Sequence, residues 1–357
     1  MIDNNHKKNR TTRRDFVKNS GIVGVVGATS PILKPLVTTG LAIFAGLEAI
    51  LNSNCASIVL NEKRPIIYPT LKGHKLQPPK DGCFVGFHPF NENYPDYYMN
   101  QIGKEAKILT YDYFTSEIRR DFPMNYVESV SSQSSIPFVY KSLNFEVAYH
   151  GFKNLVDNKE FKEDLTKYAK DIVNVGKPFF FCTMPELNIY SHIWGRHART
   201  AKKVWKYMWQ IFEDTGANEY ATWVWEVYCP AGSNHDYPNF YYPGDKYVDW
   251  IGLSAFSRES FPTTVISFNL LVEATYRAMR VSHPDKSVMM SEFARTQGLG
   301  QDRWLRNAFK TIKSWPGMKA AIFFNNTHIS GDNHHLTAKS FEVYREIMKD
   351  TYFIGAK

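Results

Sequence analysis

From about residue 83 onward, short aromatic-rich apolar runs alternate with longer segments of helical periodicity. Short apolar runs bounded by turn residues are typical of buried strands, whereas apolar residues recurring every third or fourth position indicate amphipathic helices. The predicted strands are Cys83–His88, Lys107–Tyr113, Ile136–Tyr140, Pro178–Cys182, Ala221–Tyr228, Tyr247–Ala255, Ser287–Ser291 and Ala320–Asn325. Strands that alternate with helices form parallel sheets, and eight such units predict a closed (β/α)₈ barrel.

Helical periodicity fills most of the gaps between these strands. The predicted helices are Asn154–Val175, Thr200–Phe212, Phe268–Val281, Gln301–Ser314 and Ser340–Met348. In such a barrel, functional residues lie at the carboxyl ends of the strands. We therefore predict one catalytic domain over residues 83–357, preceded by a polar segment, residues 51–82, that acts as a linker or as a cap under the first strand.

Residues 1–50 have the pattern of an export leader. Thr12 to Lys18, TRRDFVK, resembles the twin-arginine export motif, and two weakly apolar stretches follow it, beginning at Gly21 and Leu36. Such architecture is typical of a targeting segment. We predict export by the twin-arginine translocase to the periplasm, cell surface or medium. Residual anchoring of the leader in the membrane stays open, as does the site of cleavage.

The charge of the chain argues against nucleic-acid binding. The formal net charge is +8, and the first 50 residues hold seven Lys or Arg against three acidic residues, which leaves about +4 for the rest. Nucleic-acid binders concentrate basic residues on one face or in one block. The spacings of the four cysteines (Cys55, Cys83, Cys182 and Cys229) fit no zinc, haem or iron–sulfur motif. Cys182 and Cys229 fall near strand ends and could be neighbours.

The candidate chemistry lies in two glutamates at predicted strand ends. Glu186 follows the fourth strand in KPFFFCTMPELNIYSHIWG, and Glu292 ends the seventh strand in VMMSEFARTQG. A retaining glycosidase needs two carboxyl groups about 5–5.5 Å apart, one as acid/base and one as nucleophile. Either glutamate alone could be an ordinary rim residue, but strands four and seven face each other across a barrel mouth. The pair therefore predicts sugar hydrolysis.

Several segments of the carboxyl half resemble glycoside hydrolase family 26, the β-mannanase-type enzymes. The segment PELNIYSHIWG is similar to the family's acid/base loop, and SEF, from Ser291 to Phe293, is similar to its nucleophile strand. The order Tyr-Pro-Gly-Asp, then Val-Asp-Trp and Gly, between Tyr242 and Gly252 is the most specific match. The resemblance covers residues 177 to about 325 and is weak before Phe145.

This resemblance implies a retaining (β/α)₈ hydrolase without a cofactor, in which Glu186 is the acid/base and Glu292 the nucleophile. It also implies an endo-acting enzyme on a β-mannan or another β-glycan. We expect the protein to be a monomer. From their positions we predict Trp194, Trp225, Asn188, Tyr242 and His88 as substrate-binding residues; Trp225 could equally be part of the barrel wall, and His88 an ordinary rim histidine. Glu226, on the opposite face of its strand from Trp225, is interpreted as structural.

The chain departs from the family pattern among the residues expected to surround the substrate. Pro185 replaces a His before the acid/base, Ile189 replaces a Gly, and Phe256 lies where a hydroxyl-bearing aromatic residue is common. The last loop carries His328, His334 and His335 instead of a Trp; these could contact sugar hydroxyls or, less readily, a metal. Two other functions stay open, a non-catalytic glycan-binding barrel and a twin-arginine redox enzyme, although no cofactor motif supports the second.

Overall fold

A computed structural model of the protein describes residues 68–88, 106–111, 121–141, 143, 150–229, 235–258, 266–328 and 331–356. All of these lie within one compact unit, Glu62–Lys357. The predicted leader and residues 51–67, which include Cys55, lie outside the described residues. Among those that are described, no helix is both long and apolar enough to cross a membrane.

Eight parallel strands close into a barrel, as the sequence predicts. The described strands are β1 (Cys83–His88), β2 (Ile108–Tyr111), β3 (Ile136–Lys141), β4 (Phe179–Thr183), β5 (Ala221–Tyr228), β6 (Trp250–Ser257), β7 (Ser287–Arg295), β8 (Met318–Phe324) and the short β9 (Phe353–Ile354). Each of β1 to β8 pairs with its neighbour in the sequence, and β8 pairs back to β1, which also carries β9 at its edge.

Six helices of the described chain cover the barrel. They are α1 (Met124–Ser132), α2 (Lys159–Val175), α3 (Ala198–Thr215), α4 (Phe268–Ser282), α5 (Gln301–Ser314) and α6 (Ala338–Ile347). The helix predicted from Asn154 begins at Lys159 instead, because the Asn158 side chain accepts a hydrogen bond from the Phe161 amide at 2.7 Å and caps it there. Gly176 ends α2 in the left-handed conformation, at a φ of 61°.

Two apolar layers result from the inward and outward faces of the strands. The outer layer, between the barrel and the helices, contains Trp223 and Trp225, whereas the inner layer contains Tyr140, Cys182, Val224 and Trp250. Cys182 and Cys229 therefore face opposite sides of the barrel wall and are free thiols, as is Cys83. The expectation that the first two might be neighbours is wrong, because their side chains belong to different layers.

The segment before β1 closes the lower end of the barrel, where the strands begin. Leu71 and Leu76 pack against the inner layer. The Trp250 indole N–H donates to the Leu76 carbonyl at 3.0 Å, and Lys75 Nζ lies 2.7 Å from Asp249 Oδ2. The described part of this segment is thus a cap. The upper end, where the strands finish, holds the candidate site.

Candidate active site

Glu186 lies in a tight turn just beyond the end of β4. Met184 and Glu186 both have left-handed backbone conformations, with φ values of 52° and 51°. Non-glycine residues in this region cost on the order of 1 kcal/mol each and cluster at functional sites. The turn brings the Glu186 carboxylate to β6, two strands away, where the Ser254 hydroxyl donates a hydrogen bond to Oε1 at 2.5 Å.

The second oxygen of Glu186 contacts a histidine that the sequence interpretation did not single out. His192 Nε2 lies 3.4 Å from Glu186 Oε2, and the two side chains are 23% and 13% exposed. Burial by itself would raise the pKa of Glu186, but the hydrogen bonds from His192 and Ser254 and the charge of His192 outweigh it and lower the pKa below its ordinary value. As described, the site favours the carboxylate form of Glu186.

Trp194 and Asn188 build the loop that carries Glu186. The Trp194 indole N–H donates to the Pro185 carbonyl at 3.0 Å, and its ring meets the His192 ring edge-on at a centroid distance of 5.1 Å. Asn188 Oδ1 accepts from the Tyr228 amide at 2.8 Å, and its Nδ2 donates to the Tyr228 carbonyl at 3.0 Å. Both side chains are buried. Their burial and bonding fit a supporting role in place of the predicted sugar contact.

Glu292 lies at a bulge in β7. Leu253 of β6 pairs with Met290, but the next residue, Ser254, pairs with Glu292, so that Ser291 is an extra residue in β7. The pairing with β8 shifts at the same place. Met290 and Phe293 both pack in the outer layer, and the extra residue between them lets Ser291 and Glu292 both face the barrel interior.

His88, at the end of β1, is a partner of Glu292. His88 Nδ1 lies 2.9 Å from Glu292 Oε1, and the His88 side chain is only 2% exposed. A sugar contact was predicted for His88, whereas the structure places it against the predicted nucleophile. The structure thus brings Glu186, Glu292, Ser254 and His88 into one cluster. The Ser254 hydroxyl donates to Glu186, and the Ser254 backbone is paired with Glu292 between β6 and β7.

A third carboxyl group, Glu226 of β5, lies beneath this cluster in the barrel interior. It is fully buried, and the Tyr140 hydroxyl donates to its Oε2 at 2.6 Å. Burial and the charge of Glu292 raise the pKa of Glu226 well above its ordinary value, which favours its neutral form. The prediction that Glu226 and Trp225 lie on opposite faces of β5 is confirmed. Glu226 is on the inward face, toward the candidate site, and Trp225 is on the outward face, toward the helices.

Trp225 and Tyr242 lie away from the carboxylates. The Trp225 ring is fully buried in the outer layer and meets the rings of Tyr242 and His283, at centroid distances of 5.0 and 6.1 Å. Tyr242 precedes β6, so it lies toward the lower end of the barrel, where its hydroxyl donates to Asp245 at 2.6 Å. Neither position suits the predicted sugar contact. All eight tryptophans fall in the described chain, and none is more than 8% exposed.

The loop after β8 adds histidines to the rim. The His328 ring lies 5.4 Å from the Phe256 ring between centroids, and the charge of His328 contributes to lowering the pKa of Glu186. His334 is fully buried, and its burial lowers its pKa to about 4, so that it is neutral. Nearby, Arg258 Nε lies 3.3 Å from Asp332 Oδ2. Within the described ranges, no group of three or more His, Cys, Asp or Glu side chains has a metal-binding arrangement.

Comparisons with known proteins show the family of the chain. The family model of glycosyl hydrolase family 26 matches residues 147–343. Endoglucanase H of Acetivibrio thermocellus is 26% identical over 207 residues, which cover 54% of this chain and 23% of that protein. Mannan endo-1,4-beta-mannosidase of Bacillus subtilis is 27% identical over 118 residues, which cover 30% of this chain and 32% of that protein. The matches thus span about a quarter to a third of the length of these relatives.

Solved structures share the fold. A double mutant of the Cellulomonas fimi endo-beta-1,4-mannanase superposes with a TM-score of 0.60 at 14% identity, over 77% of this chain and 72% of that one. At this identity the likeness concerns the barrel architecture alone. It confirms the fold that the alternation of strands and helices predicts.

Proposed function

Because the chain belongs to glycosyl hydrolase family 26, we propose that it cleaves β-glycosidic bonds within polysaccharide chains, with retention of anomeric configuration. The observation that carries the proposal is the cluster at the upper end of the barrel. Two partly buried carboxyl groups from β7 and from the turn after β4 meet the same residue, Ser254 of β6. A pair of carboxyl groups at the mouth of a barrel is the arrangement that double-displacement hydrolysis requires.

In this proposal Glu292 is the nucleophile. Its carboxylate attacks the anomeric carbon and forms a covalent glycosyl-enzyme bond as the glycosidic C–O bond breaks. His88, at 2.9 Å, fixes one carboxylate oxygen and orients the other toward the sugar. The neutral form of Glu226 beneath it adds no second negative charge to the attacking group.

Glu186 is the acid/base. In the first step it gives a proton to the departing glycosidic oxygen, and in the second it takes a proton from the water that releases the sugar. The Ser254 hydroxyl and the strained turn fix its position. The first step needs Glu186 in its protonated form, whereas its partners lower its pKa.

The proposed substrates are β-1,4-linked mannans or glucans. Relatives named as an endoglucanase and as a mannan endo-1,4-beta-mannosidase support both. The absence of an exposed tryptophan, together with the partly exposed His328 at the rim, indicates that sugar rings contact Phe, Tyr or His side chains. We further propose export by the twin-arginine route and action as a monomer; replacing Arg13 and Arg14 by Lys should abolish export.

The test compares Glu186→Ala and Glu292→Ala with the parent on β-mannan, β-glucan and β-xylan, with reducing ends as the readout. We expect one polymer to be cleaved by the parent, with losses of about 10²–10⁴-fold on removal of the acid/base and at least as much on removal of the nucleophile. Glu163→Ala, an exposed helix glutamate, is the matched control and should keep full activity.

Azide distinguishes the two roles on an activated aryl glycoside. With Glu186→Ala, azide should attack the glycosyl-enzyme and give the β-glycosyl azide. With Glu292→Ala, azide should replace the nucleophile and give the α-glycosyl azide. Parent-level cleavage by either variant would refute the site assignment, and polymer binding without cleavage by the parent would favour a glycan-binding protein.

A further inference from the structure

We propose that His192 stores the proton that Glu186 delivers to the glycosidic oxygen, so that the two side chains act as one proton-holding pair. The inference rests on the proposed function, because it assigns a source for the proton of the acid/base. His192 itself does not need to touch the sugar. It acts through Glu186, and is therefore a positioning and proton-supplying residue.

The geometry holds the imidazole against one particular carboxylate oxygen. His192 Nε2 faces Oε2 of Glu186 at 3.4 Å, while Ser254 occupies Oε1. Catalytic hydrogen bonds are often somewhat long before substrate binds and tighten in the reacting complex. The separate partners of the two oxygens mean that the proton from His192 has one defined acceptor.

The loop between the two residues is tightly wound, which fixes this contact. Backbone hydrogen bonds run from the Ile189 amide to the Glu186 carbonyl at 3.0 Å, from the His192 amide to the Ile189 carbonyl at 3.3 Å, and from the Gly195 amide to the His192 carbonyl at 2.9 Å. At Gly195 a Cβ would lie 2.1 Å from the Ile189 carbonyl oxygen, so only glycine fits there. Trp194 supports the His192 ring from its edge.

His192 lowers the pKa of Glu186 through both its hydrogen bond and its charge, which favours the carboxylate form of Glu186 while water has access to the site. Groups from the other neighbouring elements also face this pair. They are Cys182 of β4, Glu226 and Tyr228 of β5, Ser254 of β6, Glu292 of β7 and His328 after β8.

Sugar binding reverses this preference. When a polysaccharide expels water from the site, the effective dielectric falls, and a neutral acid beside a neutral imidazole is favoured over two separated charges. The proton then moves from His192 Nε2 to Glu186 Oε2. Glu186 passes one proton to the glycosidic oxygen as the C–O bond breaks, and later takes one from the attacking water. That proton returns to His192, which leaves the pair as it began.

The test is the pH dependence of kcat/KM for His192→Gln on the polymer that the parent cleaves. Gln keeps the size and a hydrogen-bond donor but stores no proton. We expect the basic limb of the profile to move to lower pH by about one unit or more, which at pH 8 is at least about a tenfold loss. His197→Gln, an exposed histidine five residues along the chain, is the matched control and should leave the profile unchanged.

Two further measurements separate proton storage from packing. On a 2,4-dinitrophenyl glycoside, whose leaving group needs no proton, the His192→Gln profile should coincide with that of the parent. Added imidazole should restore His192→Ala at pH 8. A basic limb that stays in place or moves to higher pH on the polymer would overturn the inference. Parent-level activity of Glu186→Ala would instead overturn the proposed function, so the two failures are distinguishable.

Discussion

The lower and upper ends of the barrel treat buried polar groups in opposite ways. At the lower end opposite charges are paired: Lys75 lies against Asp249, which also accepts from the Trp223 amide at 2.8 Å. At the upper end three carboxyl groups, Glu186, Glu226 and Glu292, share one region of the interior. Satisfied pairs stabilise a fold, whereas like charges in low dielectric shift pKa values and suit chemistry.

The largest stability effect is expected at the lower end, with Asp249→Ala. The change leaves Lys75 and the Trp223 amide without their shared acceptor, and breaking a largely buried ion pair costs about 3–5 kcal/mol. We expect urea unfolding to show that loss, while kcat/KM at 25 °C stays near the parent value because no reacting group has changed.

The matched control is Asp121→Ala, whose partner Lys167 lies 2.6 Å away on the exposed surface. Exposed pairs contribute about 0–1 kcal/mol, so this variant should unfold almost as the parent does. A similar loss of unfolding free energy in both variants would mean that burial does not distinguish the two ion pairs. The proposed difference between the lower and upper ends of the barrel would then be wrong.

An intermediate effect is expected at the upper end, with Glu226→Gln. The raised pKa of Glu226 means that the unfolded chain releases this proton at lower pH than the folded protein does. The parent therefore loses stability as pH rises above about 4.3, by up to about 1.4 kcal/mol per pH unit, until the folded-state pKa is passed.

Gln accepts the Tyr140 hydrogen bond without this titration, so the variant should gain stability over the parent as pH rises from 5 to 8. Urea unfolding of both proteins at several pH values checks the prediction. A constant or shrinking difference would mean that Glu226 is ionised in the folded protein.

The smallest effect is expected with Trp225→Phe, in the wall between the two ends. The ring is buried against Tyr242 and His283 and contacts no catalytic residue. We expect a stability loss of about 1–2 kcal/mol from the smaller ring and a KM for the polymer within about twofold of the parent value. A much larger rise in KM, with kcat unchanged, would restore the predicted stacking role.

The barrel could be predicted from the sequence because its strands are strongly apolar and clearly bounded. Cys83–His88 and Ala221–Tyr228 have the predicted ends. The predicted strand from Tyr247 begins only at Trp250, because Asp245–Tyr247 forms a 3-10 turn after Gly244. Helix α1 was missed because its nine residues bury only Val127 and Val130, which is too weak a periodic signal.

Period-two alternation could not predict whether a tryptophan on a strand points into the barrel or toward the helices. Strands of a parallel barrel are apolar on both faces, so alternation shows which residues share a face but not which face is inward. That ambiguity explains why Trp225 was predicted to contact sugar. Glu186 and Glu292 could be located because strand ends are visible in sequence, whereas the approach of His192 and Ser254 depends on a left-handed turn at Glu186 that no composition signal marks.

The extra residue at Ser291 has a consequence for how this chain can change. Below it, β7 follows the alternation of an ordinary strand, and above it the same strand is displaced by one position. Deleting Ser291 would restore ordinary alternation, with Met290 and Phe293 facing outward and Glu292 still facing inward, without altering any side chain that packs the lower barrel. The extra residue therefore gives β7 two consecutive inward-facing side chains where ordinary alternation allows one, so losing Ser291 would remove a hydroxyl neighbour of Glu226 and leave the Glu292 carboxylate in the interior.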